Sequence, residues 1–137
     1  MTAEEIMTEN VTTVDETVSL AEAMEILSEL DVRHLPVVRD GEITGMISDR
    51  DLRSLGLDAV TDLENIDKLK ARLGTPVSSL MSGDVLSVDR STDVQEIIDL
   101  MLEERVGAVP VVEEDSNDLV GIVSYVDVLR ATRDLVE

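Results

Sequence analysis

Two seven-residue segments carry a glycine, a serine and an aspartate at the same spacing. Residues 45–51 and residues 121–127 both read Gly, two apolar residues, Ser, two variable residues and Asp. A glycine lets another group approach the backbone closely, and a helix N-terminus offers free N–H groups to an anion. A carboxylate accepts hydrogen bonds from hydroxyl groups. The pattern therefore predicts one ligand site per segment, formed by Gly45, Ser48 and Asp51 and by Gly121, Ser124 and Asp127.

A second interpretation of the same residues needs no ligand. Ser-x-x-Asp at the start of a helix can form a capping box, in which each side chain accepts a hydrogen bond from the backbone of the other residue. A glycine in a strand can mark only close packing. Capping alone would accept several other residue types, so the occurrence of the same set in both segments favours the ligand site.

Composition limits the class of protein. The chain has 137 residues, 43% of them hydrophobic, with one Tyr and neither Phe nor Trp, so its core must be aliphatic. We find no run of 18 apolar residues and no basic and apolar leader, and we predict no membrane span. The chain has no cysteine, which excludes disulfides and thiolate chemistry, and we expect a cytoplasmic protein.

The charge of the chain is strongly acidic. Its formal net charge is −20, and among 11 basic residues only Lys68 and Lys70 are lysines. Binding to nucleic acid needs a basic face, so we exclude that function. Few lysines, many acids and a small aliphatic core resemble the proteins of salt-accumulating halophiles. Self-repulsion should then destabilise the fold in dilute buffer, and salt should screen it.

The two segments close the halves of an internal repeat. Shifted by 74 positions, residues 6–40 align with residues 80–114, and both halves contain Pro-Val-Val, at 36–38 and at 110–112. The register then slips by two, because residues 113–118 form a longer turn than residues 39–42. Duplicated folds tolerate insertions in turns.

Hydrophobic periodicity predicts the same elements in each half. After an opening helical turn, the order is β-α-β-β-α, with a hairpin turn at Asp40-Gly41. We predict strands at 11–14, 35–39 and 43–48, then at 85–88, 109–113 and 119–124, and last helices at 50–55 and 126–135. Predicted caps are Thr2 with Glu5, Ser19 with Glu22, Thr75 with Pro76 and Asp93 with Glu96.

One repeat has too little apolar surface to fold alone. We therefore expect an α+β fold in which two β-α-β-β-α repeats pack sheet to sheet about a pseudo-twofold axis. The predicted divisions are 1–55 for the first repeat, 56–75 for a connector and 76–137 for the second repeat. The connector has the spacing of a short helix without clear caps, and a solvated linker is the favoured interpretation.

The order and spacing of these residues resemble a tandem pair of CBS domains, also called a Bateman module. The resemblance covers residues 2–55 and 76–135. It rests on Ile-Met-Thr at 6–8 and Leu-Met-Ser at 80–82, on the segments around the two prolines at 33–38 and 107–112, and on the two seven-residue segments.

The resemblance implies a ligand and a role for each site residue. Family members bind AMP, ADP, ATP (with Mg²⁺) or S-adenosylmethionine in clefts between the repeats. Asp51 and Asp127 would hold the ribose hydroxyls, and Ser48 and Ser124 would bind phosphate. The adenine pocket would be lined by Thr12, Thr13, Leu35, Leu86, Ser87 and Val109. No metal ligand and no resident cofactor are implied.

The phosphate side of the two predicted sites differs. Family members often carry basic residues two and three positions before the proline. Arg33 and His34 fill these positions in the first repeat, whereas Gly107 and Ala108 fill them in the second. We expect Arg33 and His34 to serve the nucleotide held by Asp127, which would make that site the tighter one for phosphorylated ligands.

Three functional hypotheses follow. The first is a regulatory module that binds an adenosine-containing ligand and signals to a partner protein that the sequence does not identify. The second is a dimerisation or interaction scaffold without a physiological nucleotide. The third, an enzyme, is disfavoured because the sequence shows no nucleophile with a neighbouring base and no metal pair. We also predict a homodimer formed through apolar helix faces.

Overall fold

The computed structural model describes residues 1–53, 63–81 and 85–136. It contains six α-helices and six strands in this part of the chain. In chain order they are α1 Ala3–Ile6, β1 Val14–Asp15, α2 Leu20–Leu30, β2 His34–Arg39, β3 Glu42–Ser48, α3 Asp49–Arg53, α4 Leu63–Leu73, β4 Val88–Asp89, α5 Val94–Glu104, β5 Ala108–Val112, β6 Leu119–Ser124 and α6 Tyr125–Thr132. Short 3-10 helices span Val77–Ser79 and Arg133–Leu135.

The strands form two three-stranded sheets, ordered β1-β2-β3 and β4-β5-β6. The short first strand of each sheet runs parallel to the second, with Val14 opposite Val37 and Val88 opposite Val111. The equal registers confirm the predicted α+β fold with two β-α-β-β-α repeats. The predicted pseudo-twofold packing and the clefts between the repeats stay predictions.

The chain divides into two compact units. The first-repeat unit contains Thr12–Asp40 and Thr44–Val85, and the second-repeat unit contains Met1–Val11, Gly41–Ile43 and Leu86–Glu137. Each unit therefore includes the opening turn that precedes the other repeat in sequence. The repeat boundaries proposed from the sequence stay a prediction, because the compact units follow contacts rather than chain order.

Each unit has its own aliphatic core. In the first-repeat unit the sheet and α2 bury a cluster that also takes in Val77 from the opening turn of the second repeat. In the second-repeat unit the core between the sheet, α5 and α6 takes in Ala3 of α1. The side chains of Ala3 and Val77 are fully buried, so both opening turns are part of a core rather than solvent-exposed tails.

The first strand of each repeat is shorter than predicted and lies later in the chain. The predicted strands at 11–14 and 85–88 are wrong in extent, because only Val14 and Asp15 pair with β2 and only Val88 and Asp89 pair with β5. Asn10 has a left-handed backbone (φ 55°), which interrupts extended structure before the first of these strands.

The predicted caps have mixed outcomes. Ser19 accepts a hydrogen bond from the Glu22 N–H at 3.2 Å, as predicted. Asp93 is the N-cap residue of α5, but its side chain makes no capping hydrogen bond. Thr2 makes none either, although it is the N-cap residue of α1.

The Thr75 cap is also wrong. Pro76 is the N-cap residue of the 3-10 helix, and the Thr75 hydroxyl instead donates to the Arg72 carbonyl oxygen at 2.6 Å. That carbonyl lies in the last turn of α4, where helix carbonyl groups have no partner within the helix. The threonine therefore closes the preceding helix rather than opening the next one.

The turn between β2 and β3 has the predicted hairpin geometry. Asp40 and Gly41 both have positive φ, 53° and 83°, which is the backbone of a tight hairpin turn and confirms the prediction. The helical spacing noted in the connector is confirmed by α4, Leu63–Leu73, which contacts α2, and the connector's role as a solvated linker stays a prediction. Of the last helices, α3 begins one residue earlier than predicted, and its predicted end at residues 54–55 lies outside the described residues.

Among the described residues, the helices are all too short or too polar to cross a membrane.

Candidate functional site

Both seven-residue segments join a strand to a helix. β3 ends at Ser48 and α3 follows, while β6 ends at Ser124 and α6 follows. The Ser48 N–H donates to Asp51 Oδ2 at 2.9 Å, and the Asp51 N–H donates to the Ser48 hydroxyl oxygen at 3.1 Å. These are the two hydrogen bonds of a capping box.

Ser124 and Asp127 make the same reciprocal pair, at 2.9 Å and 3.2 Å. The Ser124 hydroxyl also lies 3.1 Å from Asp127 Oδ2. The capping interpretation of both segments is therefore confirmed. It does not exclude a ligand, because in the second segment capping engages only one of the two carboxylate oxygens.

The other oxygen of Asp127 faces groups from elsewhere in the second-repeat unit. The Thr8 hydroxyl donates to the carboxylate, lying 3.3 Å from Oδ1 and 3.4 Å from Oδ2. A guanidinium nitrogen of Arg130 lies 3.9 Å from Oδ1. The Asp127 side chain is 10% exposed. A nearly buried carboxylate with one oxygen outside the cap is suited to accept hydrogen bonds from a hydroxylated ligand.

The space beside Gly121 is filled by the chain itself. A Cβ at this position would lie 2.6 Å from Met7 Sδ and 3.0 Å from the Thr8 carbonyl oxygen. Thr8 and Ile122 exchange backbone hydrogen bonds of 2.8 Å and 3.1 Å, so the N-terminal segment runs antiparallel beside β6 and lies against Gly121. The close approach that the sequence predicts for a ligand is made here by residues 7–8.

The first-repeat unit surrounds Asp51 with different chemistry. The Asp49 N–H donates to the Arg33 carbonyl oxygen at 2.9 Å, which brings the start of α3 beside the start of β2. His34 begins β2, is half-buried, and lies within the electrostatic reach of Asp49 and Asp51. The equivalent backbone bond in the other unit joins Tyr125 to Gly107 at 2.9 Å, without a basic side chain.

Burial lowers the pKa of His34 below its ordinary value. The loss of solvation is the largest influence and favours the neutral ring. The charges of Asp51 and Asp49 oppose it by raising the pKa, and Arg33 lowers the pKa further. The structure thus places His34 near Asp51. The proposed contact of His34 with a nucleotide held by Asp127 stays a prediction.

The residues predicted to line the adenine pocket fall into two groups. Leu35 and Val109 are fully buried in the two cores. The others are exposed or partly exposed and precede the first strand of each sheet. In the first-repeat unit these are Thr12 and Thr13, and in the second-repeat unit Leu86 and Ser87.

Sequence reasoning missed Thr8 as a neighbour of the site. Thr8 and Asp127 are separated by 119 positions, and no local pattern joins them. One signal was present in the repeat itself, because the aligned position in the second half, residue 82, is also a hydroxyl residue. Residue 82 lies outside the described residues.

Across residues 1–53, 63–81 and 85–136, no group of three or more acidic or histidine side chains is arranged to hold a metal ion.

The comparison with protein families decides the family. The model of the CBS domain matches residues 3–58 and 77–134, which together cover most of the chain. The chain belongs to the CBS domain family. The two matches contain the two seven-residue segments, so this CBS pair carries one capped Ser-x-x-Asp set in each domain.

Curated relatives cover nearly all of this CBS pair. Hypoxic response protein 1 of Mycobacterium tuberculosis is 35% identical over 130 residues, which span 94% of this chain and 83% of that protein. The CBS domain-containing protein YhcV of Bacillus subtilis is 31% identical over 121 residues, which span 88% of this chain and 78% of that protein.

Solved structures agree with the fold of this CBS pair. CBSX2 in complex with AMP has a TM-score of 0.81 and 31% identity, with coverage of 98% of this chain and 97% of that chain. CBSX2 from Arabidopsis thaliana gives the same score and identity. Hypoxic Response Protein I with two coordinated zinc ions has a TM-score of 0.75 and 33% identity, with coverage of 95% and 98%.

Proposed function

We propose that this CBS pair is a regulatory module that binds adenosine-containing ligands through the carboxylates of Asp51 and Asp127. The observation that carries the proposal is the nearly buried Asp127 carboxylate, which has one oxygen in the helix cap and the other outside it. The vicinal hydroxyls of a ribose can donate hydrogen bonds to this second oxygen. CBSX2, which matches over almost the full chain, is described with AMP bound.

The serines take a defined part in this proposal. Ser48 and Ser124 end their strands directly before α3 and α6. Their hydroxyl oxygens already accept the Asp51 and Asp127 N–H groups. A hydroxyl can accept and donate at once. The Ser124 hydroxyl donates to Asp127 Oδ2 at 3.1 Å, and this proton would turn to a phosphate oxygen when a ligand binds. We therefore propose ribose on the aspartates and phosphate beside the serines.

The charge of the chain bears on the choice among adenosine ligands. A net charge of −20 opposes the approach of a multiply charged phosphate unless salt screens it or Mg²⁺ accompanies ATP. We therefore favour AMP or the cationic S-adenosylmethionine. Zinc does not enter the proposal, because the chain has one histidine and no cysteine.

Signalling would follow from a shift between conformations. A ligand changes the population of two states only as far as it binds one better than the other. We propose that the occupied form is recognised by a regulated partner protein, and we assign no catalytic step to this CBS pair. The cytoplasm stays the proposed location.

Calorimetric titration in molar KCl tests the proposal. The ligands are AMP, ADP, ATP with and without Mg²⁺, and S-adenosylmethionine. We expect micromolar binding of at least one of them, weakened in Asp51→Ala or Asp127→Ala. Since either change also removes a capping acceptor, circular dichroism must show that the variants remain folded. Absence of binding by the whole panel to the folded wild-type protein would contradict the proposal.

A scaffold that dimerises is the second candidate function. One observation favours it, because Leu102 of α5 and Leu129 of α6 are 72% and 62% exposed on neighbouring helices. Exposed apolar faces of this kind mark association surfaces. We propose a homodimer through this face. Light scattering in high salt should show a dimer, and Leu102→Glu with Leu129→Glu should show a monomer. A monomeric wild-type protein would contradict it.

A halophilic origin is proposed from the charge alone. We expect the melting temperature to rise with KCl as screening reduces the repulsion among 31 acidic residues. A melting temperature independent of KCl would contradict this origin.

A further inference from the structure

The first eight residues lie along the rest of the second-repeat unit as a strap. Its beginning is tied to the start of α5, where the Val94 N–H donates to the Met1 carbonyl oxygen at 2.9 Å and the Ala3 N–H donates to the Thr92 carbonyl oxygen at 2.8 Å. Arg90 adds an ion pair to Glu4 at 3.3 Å. We call residues 1–8 the N-terminal strap.

The far end of the strap reaches the candidate site. Thr8 exchanges two backbone hydrogen bonds with Ile122, and the glycine before Ile122 leaves the space that Met7 occupies. This backbone bridge fixes where the Thr8 side chain lies. Its hydroxyl then meets the Asp127 carboxylate at 3.3 Å and 3.4 Å, almost equally distant from both oxygens.

We propose that Thr8 is a positioning residue for the Asp127 carboxylate, and that occupancy of Asp127 by a ligand is thereby coupled to docking of the N-terminal strap. The inference rests on the proposed function for its ligand, whereas the contact between the strap and the carboxylate is independent of any ligand. Asp127 is held on one side by Ser124 through the cap and on the other by Thr8.

The direction of the coupling follows from the hydrogen-bonding capacity of the groups. A carboxylate has about four acceptor positions, and the cap, the Ser124 hydroxyl and Thr8 leave room for a further donor. A carboxylate whose plane is already fixed loses less freedom when a ligand binds. Thr8 should therefore strengthen ligand binding, and the ligand should in turn stabilise the docked strap, because coupling between sites is reciprocal.

Calorimetric titration with AMP tests the positioning role. We expect Thr8→Val, which keeps the shape and removes the hydroxyl, to weaken AMP binding about three- to tenfold, the range for one modest hydrogen bond. Thr8→Ser should restore most of the affinity. Thr17→Val is the matched control, because Thr17 donates to a carboxylate, that of Asp15, in the other unit at 2.7 Å. This control should bind AMP like the wild type.

A double-mutant cycle separates positioning from direct contact. In the background of Asp127→Asn, Thr8→Val should have little further effect on AMP binding, because the carboxylate through which it acts is absent. An equal loss in both backgrounds would overturn the positioning role. Unchanged or tighter binding by Thr8→Val alone would overturn it as well.

Hydrogen exchange without ligand tests the coupling independently of the proposed function. We expect Asp127→Asn to speed exchange of the Thr8 and Ile122 amides, and Asp51→Asn, which alters the matching cap in the other unit, to leave them unchanged. Equal exchange of these amides in wild type and Asp127→Asn would overturn the coupling. Failure of AMP to bind the wild type would count against the proposed function, and the exchange experiment would still decide the coupling.

Discussion

Asp51 and Asp127 occupy the same position in the two repeats and cap their helices through the same pair of hydrogen bonds. Their neighbours differ. Asp51 lies near the half-buried His34, whereas Asp127 accepts a hydrogen bond from the hydroxyl of Thr8 in the N-terminal strap. Duplication therefore preserved the hydrogen bonds that cap each helix, whereas the groups around each carboxylate differ. At Asp127, Oδ2 accepts the hydrogen bond of the helix cap and Oδ1 lies outside the cap.

A second pair of regions shows the same contact made by different residues. In the first-repeat unit, Arg39 at the end of β2 lies 3.9 Å from Glu16, which follows β1. In the second-repeat unit, Arg90 follows β4 and lies 2.8 Å from Glu113, which follows β5. The aligned positions carry opposite charges, so the ion pair is kept while both of its residues are exchanged.

The largest expected effect is at Gly121, where the N-terminal strap lies against β6 in the second-repeat unit. Gly121→Ala should lower the free energy of unfolding by about 1–3 kcal/mol, because the added methyl group would overlap Met7 and press on the Thr8 carbonyl. Chemical denaturation measures the change. Gly74→Ala is the matched control, since a Cβ there has ordinary contacts at 3.6 Å and 3.7 Å. Equal stability of Gly121→Ala and wild type would contradict the close contact of the N-terminal strap with Gly121.

The next largest effect distinguishes the ion pair of Arg90 with Glu113 from that of Arg39 with Glu16. Arg90 contacts both Glu113 and Glu4, whereas Arg39 is mostly exposed at a longer distance from its partner. Hydrogen bonding to Glu113 raises the pKa of Arg90. A double-mutant cycle on Arg90 and Glu113 should therefore give a favourable coupling in thermal melts at low salt, and the cycle on Glu16 and Arg39 a coupling near zero. Equal couplings would remove the distinction.

The smallest expected effect is a pH dependence at His34, which the second repeat lacks. Burial lowers the pKa of His34, so the unfolded chain binds a proton more readily than the folded one. The stabilising contribution is complete above the ordinary value of 6.5 and is lost as the pH falls through the lowered pKa. Relative to His34→Gln, the wild type should lose stability as the pH falls from above 6.5 to below it.

Denaturant titrations of both proteins across this range measure the difference. Parallel stability curves for His34→Gln and the wild type would contradict the burial of a neutral ring at His34.

The sequence predicted the elements better than it predicted their partners. The predicted caps at Ser19 and Asp93 placed the starts of α2 and α5, and periodicity placed the hairpin strands close to their observed bounds. Both signals lie within short stretches of sequence. The Asp40-Gly41 turn followed from its backbone requirement. The first strand of each sheet was misplaced because strand ends depend on which residues of β2 and β5 are available to pair.

For the candidate site, too, the local residues were predicted and the distant one was not. Repetition identified Ser48 with Asp51 and Ser124 with Asp127, and the capping geometry is local enough to be expected. Thr8 could not be found from spacing, because its approach to Asp127 depends on the N-terminal strap lying on the second-repeat unit. Only the folded chain shows that contact.

The central claim is that the Asp127 carboxylate binds the ribose of an adenosine-containing ligand. Its most direct test is a calorimetric titration of AMP in molar KCl into wild type and Asp127→Asn, a variant that retains an oxygen for the helix cap. We predict micromolar binding to the wild type and at least about tenfold weaker binding to the variant, since hydrogen bonds to a charged group are lost. Equal affinities in two folded proteins would contradict the claim.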